Sequence, residues 1–244
     1  MYIENPKTKN SGIICCIPQT GECPMHCPDC FFQSGKSYLE PLDKNLPNMP
    51  SITDAIAHVV RVNDGNDSSN DIDLVLRATE HYPFRFYNTS KPYDIDKFKE
   101  PVVLTLNPNQ MTDKGVWDLG TGLSPLSKNI MFFRIRTNTW NTHLIDKAIA
   151  LYPDTAIVLT FMAYHDINSI PSDHWQNYIV RKRTMNEYYA ITTEAWRNIM
   201  KKYEDNLLIY SCGKIEGEKG KTGCKYCGNC LREYFATKER IIKQ

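Results

Sequence analysis

The sequence predicts an α/β fold built on a parallel sheet with its helices outside. Apolar runs rich in branched and aromatic residues recur along the 244-residue chain, too continuous for a sheet with one wet face. Stretches with helical spacing lie between them. A strand followed by a helix, repeated about six times, is the pattern of parallel strands joined by crossovers.

In chain order the predicted strands are "GIICCI" (12–17), "FRFYN" (84–88), "VVLTL" (102–106), "IMFFRIR" (130–136), "AIVLTFM" (156–162) and "LLIYS" (207–211). The predicted helices are "SITDAIAHVVRVN" (51–63), "THLIDKAIALY" (142–152) and "MNEYYAITTEAWRNIMKKYED" (185–205). Asn141 or Thr142 would cap the second, and in the third Tyr188, Ile191, Ala195, Ile199 and Met200 approach one-face spacing. "DGNDSSNDI" (64–72) and "DLGTGLSPLSKN" (118–129) are polar and rich in turn formers, which predicts surface loops. The "GTG" in the second lacks the strand before and helix after that a phosphate-binding loop needs.

The length suits one sizeable core. An apolar fraction of 41% and a charged fraction of 23% describe an ordinary soluble protein, and no apolar run nears the roughly 20 residues that span a bilayer. "MYIENPKTKN" has no secretory pattern, so a cytoplasmic location is expected. Net charge +1 and a pI of about 7.5 give no global basic field, so nucleic acid is neither implied nor excluded. The basic run from Arg181 to Arg183 reads as a solvated face.

Nine cysteines in a reducing compartment point to metal or catalysis rather than to disulfides. Cys15 and Cys16, adjacent on a strand, face opposite ways and read as small core residues. The other seven fall into two groups. Cys23, Cys27 and Cys30 follow the first strand, on the loop at its carboxyl end, where parallel α/β folds place their chemistry. A four-iron cluster normally takes four thiolates, so three leave one position for a substrate or cofactor. Zinc completed by His26 or a distant ligand is the alternative, although His26 adjoins Cys27 and is poorly placed to join the same tetrahedron.

The Cys23-Pro-Met-His-Cys27-Pro-Asp-Cys30 run resembles the cysteine motif of the radical S-adenosylmethionine (SAM) superfamily. The resemblance implies a partial (β/α)6 barrel of parallel strands with outer helices. It also implies a [4Fe–4S] cluster at Cys23, Cys27 and Cys30, whose open iron binds SAM, and an electron donor of flavodoxin or ferredoxin type. The reduced cluster of that superfamily cleaves SAM to a 5′-deoxyadenosyl radical that abstracts hydrogen from substrate. Asp29 stands where the superfamily usually has an aromatic residue, but Phe31 and Phe32 follow at once. By position the resemblance implies SAM contacts from Phe32, from Asn88 and Ser90 after the second strand, and from Arg136 and Asn138 after the fourth. The glycine-rich motif common after the second strand is replaced here by "FYNTS".

Cys212, Cys224, Cys227 and Cys230 have spacing Cys-x11-Cys-x2-Cys-x2-Cys, which suits a second [4Fe–4S] cluster or a structural zinc. Gly213, Gly217, Gly220 and Gly223 would let the backbone wrap round it. These features divide the chain into a core, 1–211, and a cysteine-rich extension, 212–244. At the barrel mouth the second site would bind substrate or relay electrons; on the outside it would be a staple.

The leading expectation is a radical SAM enzyme acting on an unspecified substrate. A glycyl-radical-enzyme activase is a second reading, suggested by "CPDCFFQSGKSY", and a noncatalytic metal-binding module a third. Tyr178, Tyr188, Tyr189 and Trp196 would stack on a substrate ring or fill the core, and His165 follows a strand at the predicted mouth.

Overall fold

A computed structural model describes residues 1–27, 30–33, 37–106, 127–182 and 187–243. Seven parallel strands run in nearly sequential order: β1 (Ile13–Cys16), β2 (Val59–Val62), β3 (Arg85–Thr89), β4 (Val102–Leu106), β5 (Ile130–Thr137), β6 (Ile157–Phe161) and, at the far edge, β10 (Ile209–Ser211). The sheet curls into a half-barrel with helices around it, as the strand and helix succession predicts. The crossover helices include α3 (Ile72–Thr79), α4 (Thr142–Leu151) and α5 (Thr193–Lys201), after two short turns, α1 (Leu42–Asn45) and α2 (Ile52–Ala55).

Two predicted helices are corrected. Residues 51–63 are helical only over Ile52–Ala55, and the rest forms β2 between β1 and β3, with Ile13 opposite Val59 and Val62 opposite Tyr87. Three valines in the "VVRV" of β2 favour a pleated, buried strand over a helix. Within 185–205, Glu187–Ile191 ("EYYAI") is β9, paired antiparallel with β8 (Tyr178–Lys182) and with the short β7 (Ala163–Tyr164). The helix begins only at Thr193, where the Thr192 hydroxyl accepts from the Ala195 N–H at 3.2 Å.

The loop 64–72 is also corrected, because Asp67, Ser68 and Ser69 are buried. They lie at the carboxyl end of β2 beneath the cysteine loop rather than in solvent. Residues 118–126, which hold the "GTG", lie outside the described residues.

The pleat separates two cores. Ile14, Cys16, Val60, Val62, Tyr87, Leu104, Phe133, Ile135 and Leu159 face the outer helices. Val59, Phe86, Val103, Phe132 and Val158 face the concave side, where they pack against Tyr234 of the C-terminal helix α7 (Asn229–Ile242). The chain therefore returns to fill its own half-barrel. Lys238 pairs with Glu100 at 2.8 Å, and Arg240 donates to the Ile130 carbonyl at 2.8 Å, fixing the helix at the amino end of the strands. Among the described residues, no helix is long and apolar enough to cross a membrane.

Candidate metal centre

Ile17, just past β1, exchanges backbone hydrogen bonds with Asn48, and the cysteine loop leaves from there. Phe32 anchors the loop in a small core with Ile17 and Leu39. A Cβ on Gly65 would stand 2.3 Å from the Phe32 ring, so the turn after β2 closes on the loop only because residue 65 has no side chain. Gly65→Ala is expected to cost about 1–3 kcal/mol by overpacking. It should also lower iron retention at the cysteine loop, measured as iron per chain beside chemical denaturation.

Cys23 is buried, and Cys27 and Cys30 are half-buried. The loop is tied by Gln33 Nε2 donating to the Cys23 carbonyl at 2.9 Å and by the Cys30 N–H donating to the Cys27 carbonyl at 3.2 Å. Asn70 Nδ2 donates to Cys23 Sγ at 3.1 Å, a contact that favours thiolate over thiol. Burial pushes the Cys23 and Cys27 thiols up, and the negative field of Cys30 adds to both. Against this, the Arg136 guanidinium draws Cys27 down. Cys23 thus has an amide donor beside it, Cys27 feels a cation, and both feel Cys30.

Of the residues expected to meet SAM, the structure brings Arg136 into the field of Cys27. The others are engaged elsewhere. Asn88 donates to the Val62 carbonyl and accepts from Arg134 at 2.9 Å; Ser90 donates through both its N–H and hydroxyl to Asp67 Oδ2 at 2.7 Å. Asn138 forms a turn, its Oδ1 accepting from the N–H groups of Trp140 and Asn141, and Phe32 lies in the loop's core. Phe31 points the other way, its ring 4.8 Å from His165 and 6.1 Å from Tyr188. Tyr178 and Trp196 join the core of the three-stranded sheet, with Tyr189 packed against it. Pro28 and Asp29 lie outside the described residues.

The second cysteine group gathers on the concave side. Cys212 follows β10, and its N–H donates to the Leu159 carbonyl at 2.8 Å. The hairpin β11 (Lys214–Glu216) and β12 (Lys219–Lys221) leads to α6 (Cys224–Cys227), whose first N–H donates to the Lys7 carbonyl at 2.8 Å. Gly228, at φ 66°, turns the chain into α7, which carries Cys230 against the inner core. Burial pushes Cys224 up to about 12, with Cys212, Cys230 and Cys227 adding and Arg61 opposing. Burial also raises Cys230, opposed by Arg134 and Arg61. Cys224 and Cys230 thus feel the other thiols of the group, and all four are half-buried.

Among the described residues, no three His, Cys, Asp or Glu side chains are drawn together closely enough to hold a metal ion. The donor chemistry fits thiolate-bound iron or zinc nevertheless. Each group presents only sulfur, and each has nitrogen donors or cations beside it that stabilise thiolate. Sequence reasoning missed Asn70, Arg61, Arg134 and Asp67. Their signal was a charged residue inside an apolar strand, as in "VVRV" and "FFRIR", and a polar run directly after a strand.

No protein-family model and no curated protein matches the sequence. Among solved structures, a single-residue mutant of spore photoproduct lyase is similar at TM-score 0.44 and 10% identity, covering 63% of this chain. This chain spans 60% of that protein's length. Spore photoproduct lyase complexed with dinucleoside spore photoproduct is similar at TM-score 0.44 and 10% identity, covering 71% of each chain.

Proposed function

We propose that the protein is a radical SAM enzyme. One observation carries the reading: Cys23, Cys27 and Cys30 lie on the loop at the carboxyl end of β1 in a parallel half-barrel, where Arg136 acts on Cys27. When bound there, a [4Fe–4S] cluster and SAM supply the electron and the 5′-deoxyadenosyl radical for hydrogen abstraction.

The chain's own residues do the rest. Cys23, Cys27 and Cys30 would hold the cluster and leave one position open for SAM. Asn70 steadies the Cys23 thiolate, and Arg136 offers a planar fork suited to the cofactor's carboxylate. Phe31, His165 and Tyr188 form an aromatic contact that joins the cysteine loop to the β7–β9 segment. Cys212, Cys224, Cys227 and Cys230 hold a second metal centre, a [4Fe–4S] cluster in preference to zinc. The division into a core, 1–211, and a cysteine-rich extension, 212–244, follows from this reading. A flavodoxin or ferredoxin would deliver the electron.

The test is anaerobic purification followed by iron and sulfide analysis, with electron paramagnetic resonance of the reduced protein before and after SAM. About eight irons per chain are expected, with one signal shifting on SAM addition. Failure to take up iron after reconstitution would overturn the proposal.

A further inference from the structure

We propose that Arg61 and Arg134 are the counter-cations of the metal centre held by Cys212, Cys224, Cys227 and Cys230, with the Arg61 Nε–H donating to that centre's sulfur. The inference rests on the reading of these four cysteines as metal ligands.

The pleat places both arginines on the concave face. Arg61 stands opposite Cys15 and Phe86 in the β1–β2–β3 register, and Arg134 stands opposite Thr105 and Val158 in β4–β5–β6. That face is otherwise lined by Val59, Phe86, Val103, Phe132 and Val158. Both arginines are half-buried there, and the parts of each guanidinium withdrawn from water need acceptors and opposite charge in return.

The protein supplies too little of either. Arg134 donates to two neutral oxygens, Asn88 Oδ1 at 2.9 Å and Thr105 Oγ1 at 3.5 Å, and its guanidinium carbon lies 5.8 Å from the centre of the Phe132 ring. Arg61 Nε is buried with no hydrogen-bond partner. Asp64 is the carboxylate acting on Arg61, and it already accepts from Asn5 and Tyr38. The two cations also act on each other, so that burial and then Arg61 pull Arg134 down.

Cys15 and Asp64 act most strongly on Arg61, and what the two arginines share is the C-terminal thiols: Cys230 and Cys224 act on both, and Cys212 acts on Arg134. As free thiols these groups are neutral. Four thiolates around Zn²⁺, or around an oxidised [4Fe–4S] core, form a dianion, which matches two guanidiniums. The unpartnered Arg61 Nε then acquires a sulfur acceptor. On β5 the next inward position is Arg136, which acts on Cys27 of the other cysteine group.

The experiment isolates the C-terminal site by replacing Cys23, Cys27 and Cys30 with alanine in the full chain, so that all bound metal reports on the other four cysteines. Into this parent are placed Arg61→Met, Arg134→Met and Arg61→Lys. The loaded proteins are challenged with a chelator, and the metal-free forms are melted. Each methionine variant is expected to lose metal roughly 10–100-fold faster than the parent. Arg61→Lys keeps the charge and should recover most of the retention. The metal-free methionine variants should melt no lower than the metal-free parent, because a poorly compensated buried cation has been removed.

Retention within about twofold of the parent, on the scale of such effects, would overturn the inference while leaving the metal centre standing. So would faster loss accompanied by an equal fall in metal-free stability, since that marks a packing role. A parent that binds neither iron nor zinc would overturn the metal-centre reading itself, and the inference with it.

Discussion

Cys27→Ala is expected to remove about four irons per chain and to abolish reductive formation of 5′-deoxyadenosine from SAM. The thiol is half-buried on a loop, so its removal leaves little cavity, and the metal-free protein should unfold near the parent's midpoint. Cofactor chemistry is lost because two thiolates remain where three irons need one each. Cys227→Ala is the contrasting variant. It strikes the second centre, so the signal that shifts with SAM should persist while a separate iron or zinc signature weakens. Metal analysis and resonance spectra of the two variants side by side check both expectations. If Cys27→Ala retained both its iron and its 5′-deoxyadenosine formation, Cys23, Cys27 and Cys30 would not be the catalytic ligand set.

The strands of the half-barrel were legible because a buried parallel strand is apolar on both faces. "VVLTL" became β4 over the predicted residues, and the other predicted strands formed with small shifts at their ends. The failures share a cause. In "HVVRVN" and "EYYAI", branched or aromatic residues happen to repeat at a spacing that a helix also satisfies, and pairing with neighbouring strands decided between the two. The two cysteine groups stood out in the sequence by their spacing. Which polar residues act on them was not legible, since Asn70 meets Cys23 across 47 positions, and Arg61 feels Cys224 and Cys230 only because the C-terminal segment folds back toward the concavity. Composition marked 64–72 as solvent-exposed because turn formers usually are; here Asp67, Ser68 and Ser69 are buried, and Asp67 accepts from the Ser69 N–H and the Thr89 hydroxyl.

Asp67→Ala is expected to cost about 1–4 kcal/mol, because it leaves the buried Ser69 N–H without an acceptor at about 1–3 kcal/mol and the half-buried Ser90 N–H at less. One carboxylate organises the segment between β2 and α3 and ties it to the end of β3. Its Oδ1 accepts from the Ser69 N–H at 2.9 Å and the Thr89 hydroxyl at 2.8 Å, and its Oδ2 accepts from the Ser90 N–H and hydroxyl, both at 2.7 Å. Alanine supplies none of these acceptors, and at 6% exposure water has little room to replace them. Asp67→Asn preserves the shape and one oxygen but turns an N–H toward a donor, so its loss should fall between wild type and alanine. The effect reaches the metal site through Asn70, whose N–H donates to the Asp67 carbonyl at 3.2 Å while its side chain donates to Cys23 Sγ. Chemical denaturation should therefore show the alanine variant destabilised, and the same variant should retain less iron at Cys23, Cys27 and Cys30. A loss below about 1 kcal/mol, less than one orphaned donor, would mean that the turn rearranges to satisfy itself, and the cysteine loop would then depend on Phe32 and Gly65 instead.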